Sequence, residues 1–102
     1  MLIQQLQTEM KPWTVEPHFE NNPDPAFMFK HALFHATKAT GKIAGAADDH
    51  DHNGAKIDPA VSFHECNKYL ADLVICAMKM ASEASIDLQK AVEFRMREKG
   101  LL

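Results

Sequence analysis

The longest run in which apolar residues recur at three- and four-residue steps is 58–84, DPAVSFHECNKYLADLVICAMKMASEA. Cys66, Leu70, Leu73, Ala77, Met80 and Ala84 fall on one side of a helix drawn through it, and Val74 and Ile75 widen the stripe. So little polar surface remains at its centre that this helix is expected to be enclosed on several sides. Asp58 is placed to cap it, and Pro59 suits its first turn, where a missing N–H costs nothing. The same pair recurs at Asp24-Pro25 and predicts a second long helix, AFMFKHALFHATKATGKIAGAA. One of its sides carries Phe27, Phe34 and Gly41, another Phe29, Leu33, Ala36, Thr40, Ile43 and Ala47. A glycine such as Gly41 inside a helix costs about 1 kcal/mol relative to alanine, which points to a close helix crossing or a ligand's approach there.

The remaining segments are shorter. Residues 2–10, LIQQLQTEM, put Leu2 or Ile3, Leu6 and Met10 on one side of a short helix that Pro12 ends. Four prolines in 11–25 predict an extended path, with Trp13, Val15 and Phe19 as anchors to the body. Residues 48–58, DDHDHNGAKID, show no periodicity and read as a loop, with a turn signal at Asn53-Gly54. Asp87 is a plausible cap for the last helix, LQKAVEFRMREK, and Gly100 a fitting stop. Arg95, Arg97 and Lys99 fall where the helix dipole favours cations. The chain therefore reads as one all-α domain, 1–102, whose two long helices form an antiparallel hairpin flanked by two short ones.

Composition narrows the partners. With 102 residues and 46% of them hydrophobic, the chain can build one modest core. A net charge of −3 offers no basic surface for nucleic acid. No run is long or apolar enough to span a bilayer and 1–10 lacks a secretory pattern, so a cytoplasmic protein with no membrane partner is expected. Cys66 and Cys76 lie roughly 15 Å apart on one helix and cannot pair with each other. A hairpin with so wide an apolar stripe leaves uncovered surface on a small monomer, so a homodimer or a dimer of dimers is expected.

Two sets of residues carry candidate chemistry. Asp72 sits inside the apolar run, where a buried carboxylate would need an ion-pair partner or a metal; otherwise it is an acid on the helix's polar edge. His31 and His35, one turn apart, can reach a common ion or simply form a half-exposed helical edge. His64 and Glu65 on the facing helix, or His50, Asp51 and His52 in the connecting loop, could complete a ligand set. Imidazole-rich ligands suit Zn²⁺, Mn²⁺, Ni²⁺ or Fe²⁺ better than Mg²⁺.

Longer patterns add a family resemblance. Leu70-Ala71-Asp72-Leu73-Val74-Ile75 followed by Ile86-Asp87-Leu88-Gln89 resembles the C-terminal half of the MazG-like all-α nucleoside-triphosphate pyrophosphohydrolases. Gly41-Lys42-Ile43-Ala44 is similar to the family's Gly-Glu-Leu-Ala, and LIQQLQTEMKPW to its opening helix. The resemblance implies a helical bundle completed by oligomerisation, with Mg²⁺ held by acids of two facing helices while a nucleoside triphosphate is cleaved to monophosphate and pyrophosphate. The family's acidic positions correspond to Lys38, Ala39, Lys42, Tyr69 and Asp72, and only Asp72 is acidic. The resemblance thus assigns Asp72 a catalytic and metal-binding role, expected to face and pair with Lys38 and Lys42. Lys38, Lys42 and Tyr69 become substrate-binding residues for a nucleoside triphosphate or another phosphorylated small molecule. His31, His35 and Glu65 with Asp72 would supply a replacement metal set for Mn²⁺ or Zn²⁺. Two other outcomes stay open: a non-catalytic nucleotide- or protein-binding oligomeric module, and a histidine-based metallophosphohydrolase resembling the HD type, suggested by His35 and His50-Asp51.

Overall fold

Both long helical runs begin where an aspartate precedes a proline, and both starts form as the sequence requires. In the computed structural model, which describes residues 2–10, 24–53 and 58–102, Asp24 Oδ1 accepts from the Ala26 amide at 3.0 Å. Asp58 Oδ1 accepts from the Ala60 amide at 2.8 Å. The elements are α1 (Leu2–Glu9), α2 (Pro25–Asn53), α3 (Pro59–Ser62), a 3₁₀ turn (His64–Cys66), α4 (Asn67–Glu83) and α5 (Leu88–Glu98). No strand occurs among the described residues, and no helix there is long and apolar enough to cross a membrane. The main packing is α2 against α4, while α5 and α1 close the other end of α4.

Two boundaries differ from the sequence reading. Helix α2 continues through Asp48, His50 and His52 to Asn53, so the expected histidine loop is the helix's last turns. Local bonds hold those turns: His52 Nδ1 lies 2.9 Å from the Asp48 carbonyl oxygen and 3.3 Å from its Oδ1. His50 Nδ1 reaches Ser62 Oγ at 3.0 Å, tying the end of α2 to α3. Imidazoles at a helix C-terminus also suit its dipole. The second difference is a break in the helix expected over 58–84. After Ser62 the chain turns at Phe63, tightens into the 3₁₀ turn and restarts at Asn67. The break lets the Phe63 ring meet His50, centroids 5.0 Å apart, and buries Cys66. Gly54 and the segment 11–23, with the expected anchors Trp13, Val15 and Phe19, lie outside the described residues.

The buried face of α4 is not the expected stripe: Leu70, four residues after the buried Cys66, is 55% exposed, and Val74 and Ile75 are exposed as well. The buried positions of α4 are Cys76, Met78, Lys79 and Ala81. Within the single chain this helix is therefore not enclosed on several sides. The buried apolar residues are Ala32, Ala39, Cys66, Cys76, Met78 and Ala81, all but one of them small. No described leucine, isoleucine or phenylalanine is among them. Small side chains let α2 and α4 approach closely but remove little apolar area from water. Gly41 does not mark that approach: a Cβ built there meets nothing within 4 Å.

The opposite end of the molecule is joined by polar groups. Gln7 Oε1 accepts from the Leu88 amide at 3.2 Å while its Nε2 donates to the Ile86 carbonyl at 2.8 Å, so it serves the exposed start of α5 twice. Gln4 donates from its backbone to Gln89 Oε1 and from its side chain to Asp87 Oδ2, both at 3.1 Å. Asp87 caps α5 through the Lys90 amide, as the sequence suggests. Helix α4 ends with Ser85 at φ 57°, the Ile86 amide donating to Ala81 and the Ser85 amide to Ser82. Gly100, at φ 70°, closes α5 with the same pair of bonds, to Met96 and Arg97. Near this corner Lys79 Nζ meets Glu83 Oε1 at 2.9 Å, both side chains largely buried.

Candidate functional site

One face of the α2–α4 hairpin holds a cavity of about 600 Å³ lined by Met10, His35, Lys38, Ala39, Lys42, Tyr69, Asp72, Ile75 and Cys76. Its α2 wall follows from spacing. Residues 35, 38, 39 and 42 recur at three- and four-residue steps, so one helical strip presents an imidazole, two ammonium groups and a methyl. The α4 wall is built the same way from residues 69, 72, 75 and 76. Because the helices run in opposite directions, the two strips face each other over about two turns, and Met10 after α1 adds an apolar edge.

The structure brings together Lys38, Ala39, Lys42, Tyr69 and Asp72, the five positions that the sequence resemblance had picked out. It does not bury Asp72, which is exposed, and it does not pair it with a lysine. The ion pairs among the described residues are His52–Asp48, Lys79–Glu83 and Arg95–Glu98. The expected buried partnership with Lys38 or Lys42 is thus absent. An acid at the solvent edge keeps its hydration and has no need of a partner. Glu65 stands apart, in a shallow hollow with His64, Asn67 and Lys68 at the start of α4. His31 reaches the site through His35, whose Nε2 lies 3.0 Å from His31 Nε2. Periodicity one turn beyond Asp72 could have identified Ile75 and Cys76; nothing in the sequence singles out Met10.

The electrostatics favour an anion. Two ammonium groups share the cavity with one carboxylate, and a third lysine, Lys68, places its Nζ 5.1 Å from the Tyr69 ring centroid, a cation–π contact that steadies the ring. Burial pushes the Cys76 thiol above its ordinary value, and the Asp72 charge one turn away adds to the shift, which disfavours the thiolate at the cavity's apolar floor. The residues do not fit the Mg²⁺ that the family resemblance implies: Mg²⁺ wants several oxygen ligands, and the cavity offers one carboxylate beside two cations. Among the described residues no three His, Cys, Asp or Glu side chains are grouped to hold a metal ion. Compared with known protein families, curated proteins and solved structures, the chain matches none.

Proposed function

We propose that the chain is a MazG-like all-α protein whose α2–α4 cavity binds a nucleoside phosphate or a similar phosphorylated small molecule. The observation that carries this reading is the convergence of Lys38, Lys42 and Tyr69, chosen from separate sequence segments, on the walls of a single cavity. Two lysines one turn apart offer six N–H donors to phosphate oxygens. Tyr69, Ile75, Cys76 and Met10 give the rest of the ligand an apolar and aromatic surface. A cavity of about 600 Å³ is in the range that holds small molecules. Binding without hydrolysis is the form of this function that the donor set supports best. A pyrophosphohydrolase route would need more carboxylates than Asp72 alone.

The same proposal includes a homodimer or dimer of dimers. Phe29 and Leu33 on α2, and Leu70 and Val74 on α4, are all exposed. At about 100° per residue they lie roughly half a turn round each helix from the cavity residues. A second copy packed on that far face would complete an apolar core while leaving the cavity open.

The test is calorimetric titration of ATP and deoxynucleoside triphosphates in chelator, repeated with Mg²⁺, alongside product assays. Binding in chelator that falls at least tenfold in Lys38→Ala or Lys42→Ala, without turnover, is the expected result. No binding under either condition, or binding indifferent to both substitutions, overturns the phosphate reading. Efficient Mg²⁺-dependent release of pyrophosphate that Asp72→Asn abolishes would restore the hydrolase reading.

A further inference from the structure

Helix α1 has no fully buried residue. Its inner face is Ile3, Gln7 and Met10, all half-buried, while Leu2 and Leu6 are exposed. Docking it therefore removes only a modest apolar area from water. Polar groups do the rest: among the described residues, four hydrogen bonds join Gln4 and Gln7 to Ile86, Asp87, Leu88 and Gln89. Each of these groups can bond to water instead when the helix lifts, so the net gain from docking is small. At 8 residues α1 is too short to stay helical away from the body. Yet the residue that follows it, Met10, is one wall of the cavity.

We infer that α1 is a strap across one end of the cavity, held down by a ligand whose apolar part reaches Met10. The inference rests on the phosphate-binding reading given above. Gln7 bonds to Ile86 and Leu88, just beyond the end of α4, so α1 approaches the cavity from that end. Met10 therefore lies toward Cys76, about two turns along α4 from Tyr69. Because α2 and α4 run in opposite directions, Lys42 lies toward Tyr69, at the other end. A bare phosphate at Lys42 leaves Met10 untouched. A nucleoside joined to that phosphate extends toward Met10, Ile75 and Cys76 and covers them from water. The contact with Met10 exists only while α1 is docked, so ligand and strap stabilise each other by the same factor. The ligand class selected is a phosphate carrying an apolar or aromatic group, in preference to phosphate or pyrophosphate alone.

The test is amide hydrogen exchange of the full chain in chelator, without ligand, with sodium pyrophosphate and with ATP, each titrated in parallel by calorimetry. Without ligand, α1 should exchange at least tenfold faster than the middle of α4, because it lifts without global unfolding. ATP should slow exchange in α1 at least threefold, and pyrophosphate should not. Met10→Ala should weaken ATP binding severalfold and abolish the slowing. Gln4→Ala combined with Gln7→Ala removes three of the four bonds, leaving the one from the Gln4 backbone. This variant should quicken exchange in α1 and weaken ATP while pyrophosphate binds as before. Exchange in α1 no faster than in α4 overturns the strap. So does equal slowing by the two ligands, or ATP affinity that neither variant changes. If both ligands bind through Lys38 and Lys42 but ATP leaves α1 exchange unaltered, the strap fails and the phosphate reading stands. If neither ligand binds, both fail.

Discussion

The middle and the end of α4 are held by different physics. Along its middle it lies against α2 through small residues, Ala39 and Cys76 among them, with Leu70 and Val74 exposed on the side away from the cavity. Toward its end it meets α5 and α1 at a corner fastened by side-chain hydrogen bonds from Gln4 and Gln7, with the largely buried Lys79–Glu83 pair within α4 itself. The corner pairs its polar groups with one another but leaves Leu2, Ile86 and Phe94 exposed. The hairpin keeps its large apolar groups outside and leaves a cavity between its walls. The cavity proposed to bind a ligand therefore lies in the half of the molecule built on close packing of small residues.

The largest expected effect is at the corner. Glu83→Ala strands the Lys79 ammonium in a buried site, so a loss of about 3 kcal/mol is expected, read by urea unfolding. A loss below about 0.5 kcal/mol would mean that solvent reaches Lys79 readily, and that the corner is no more closed than the hairpin. Next comes Ala39→Leu, which pushes a larger side chain between α2 and α4 and should cost about 1–3 kcal/mol. It should also reduce nucleotide binding, because Ala39 lines the cavity. A stable variant with unchanged binding would show that the hairpin walls separate easily.

Smaller effects probe the fastening itself. Gln7→Ala leaves the Leu88 amide and the Ile86 carbonyl without their side-chain partner, for an expected cost of about 1 kcal/mol. Amide hydrogen exchange should then quicken in α1 and in the first turn of α5 but not in α2. Exchange that quickens equally everywhere would contradict a corner held locally. The smallest change is a gain. Ser85 is held at φ 57°, a conformation glycine adopts without steric cost, so Ser85→Gly should stabilise the chain by about 0.5–1 kcal/mol in the same unfolding measurement.

The helix starts at Asp24, Asp58 and Asp87 and the stop at Gly100 were legible because they rest on local chemistry. Asp24-Pro25, Asp58-Pro59, Asp87 and Gly100 act on amides and carbonyls within a few residues, and each terminus forms where its residues place it. The cavity's polar residues were legible in part, since Lys38 and Lys42, or Tyr69 and Asp72, share a strip through helical periodicity alone. What the sequence could not determine is which strip turns toward which. The end of α2 is helical although 48–53 has no helical pattern, with local His52–Asp48 contacts and a His50–Ser62 contact across the hairpin. Packing on α2 decides that Cys76 is buried while Leu70 is exposed and Asp72 sits at the open edge of the cavity. Met10 joins the cavity only because α1 docks through Gln4 and Gln7 onto residues about 80 positions later. Periodicity fixes the relative directions of side chains on one helix; only packing against another helix fixes the angle at which that set is turned.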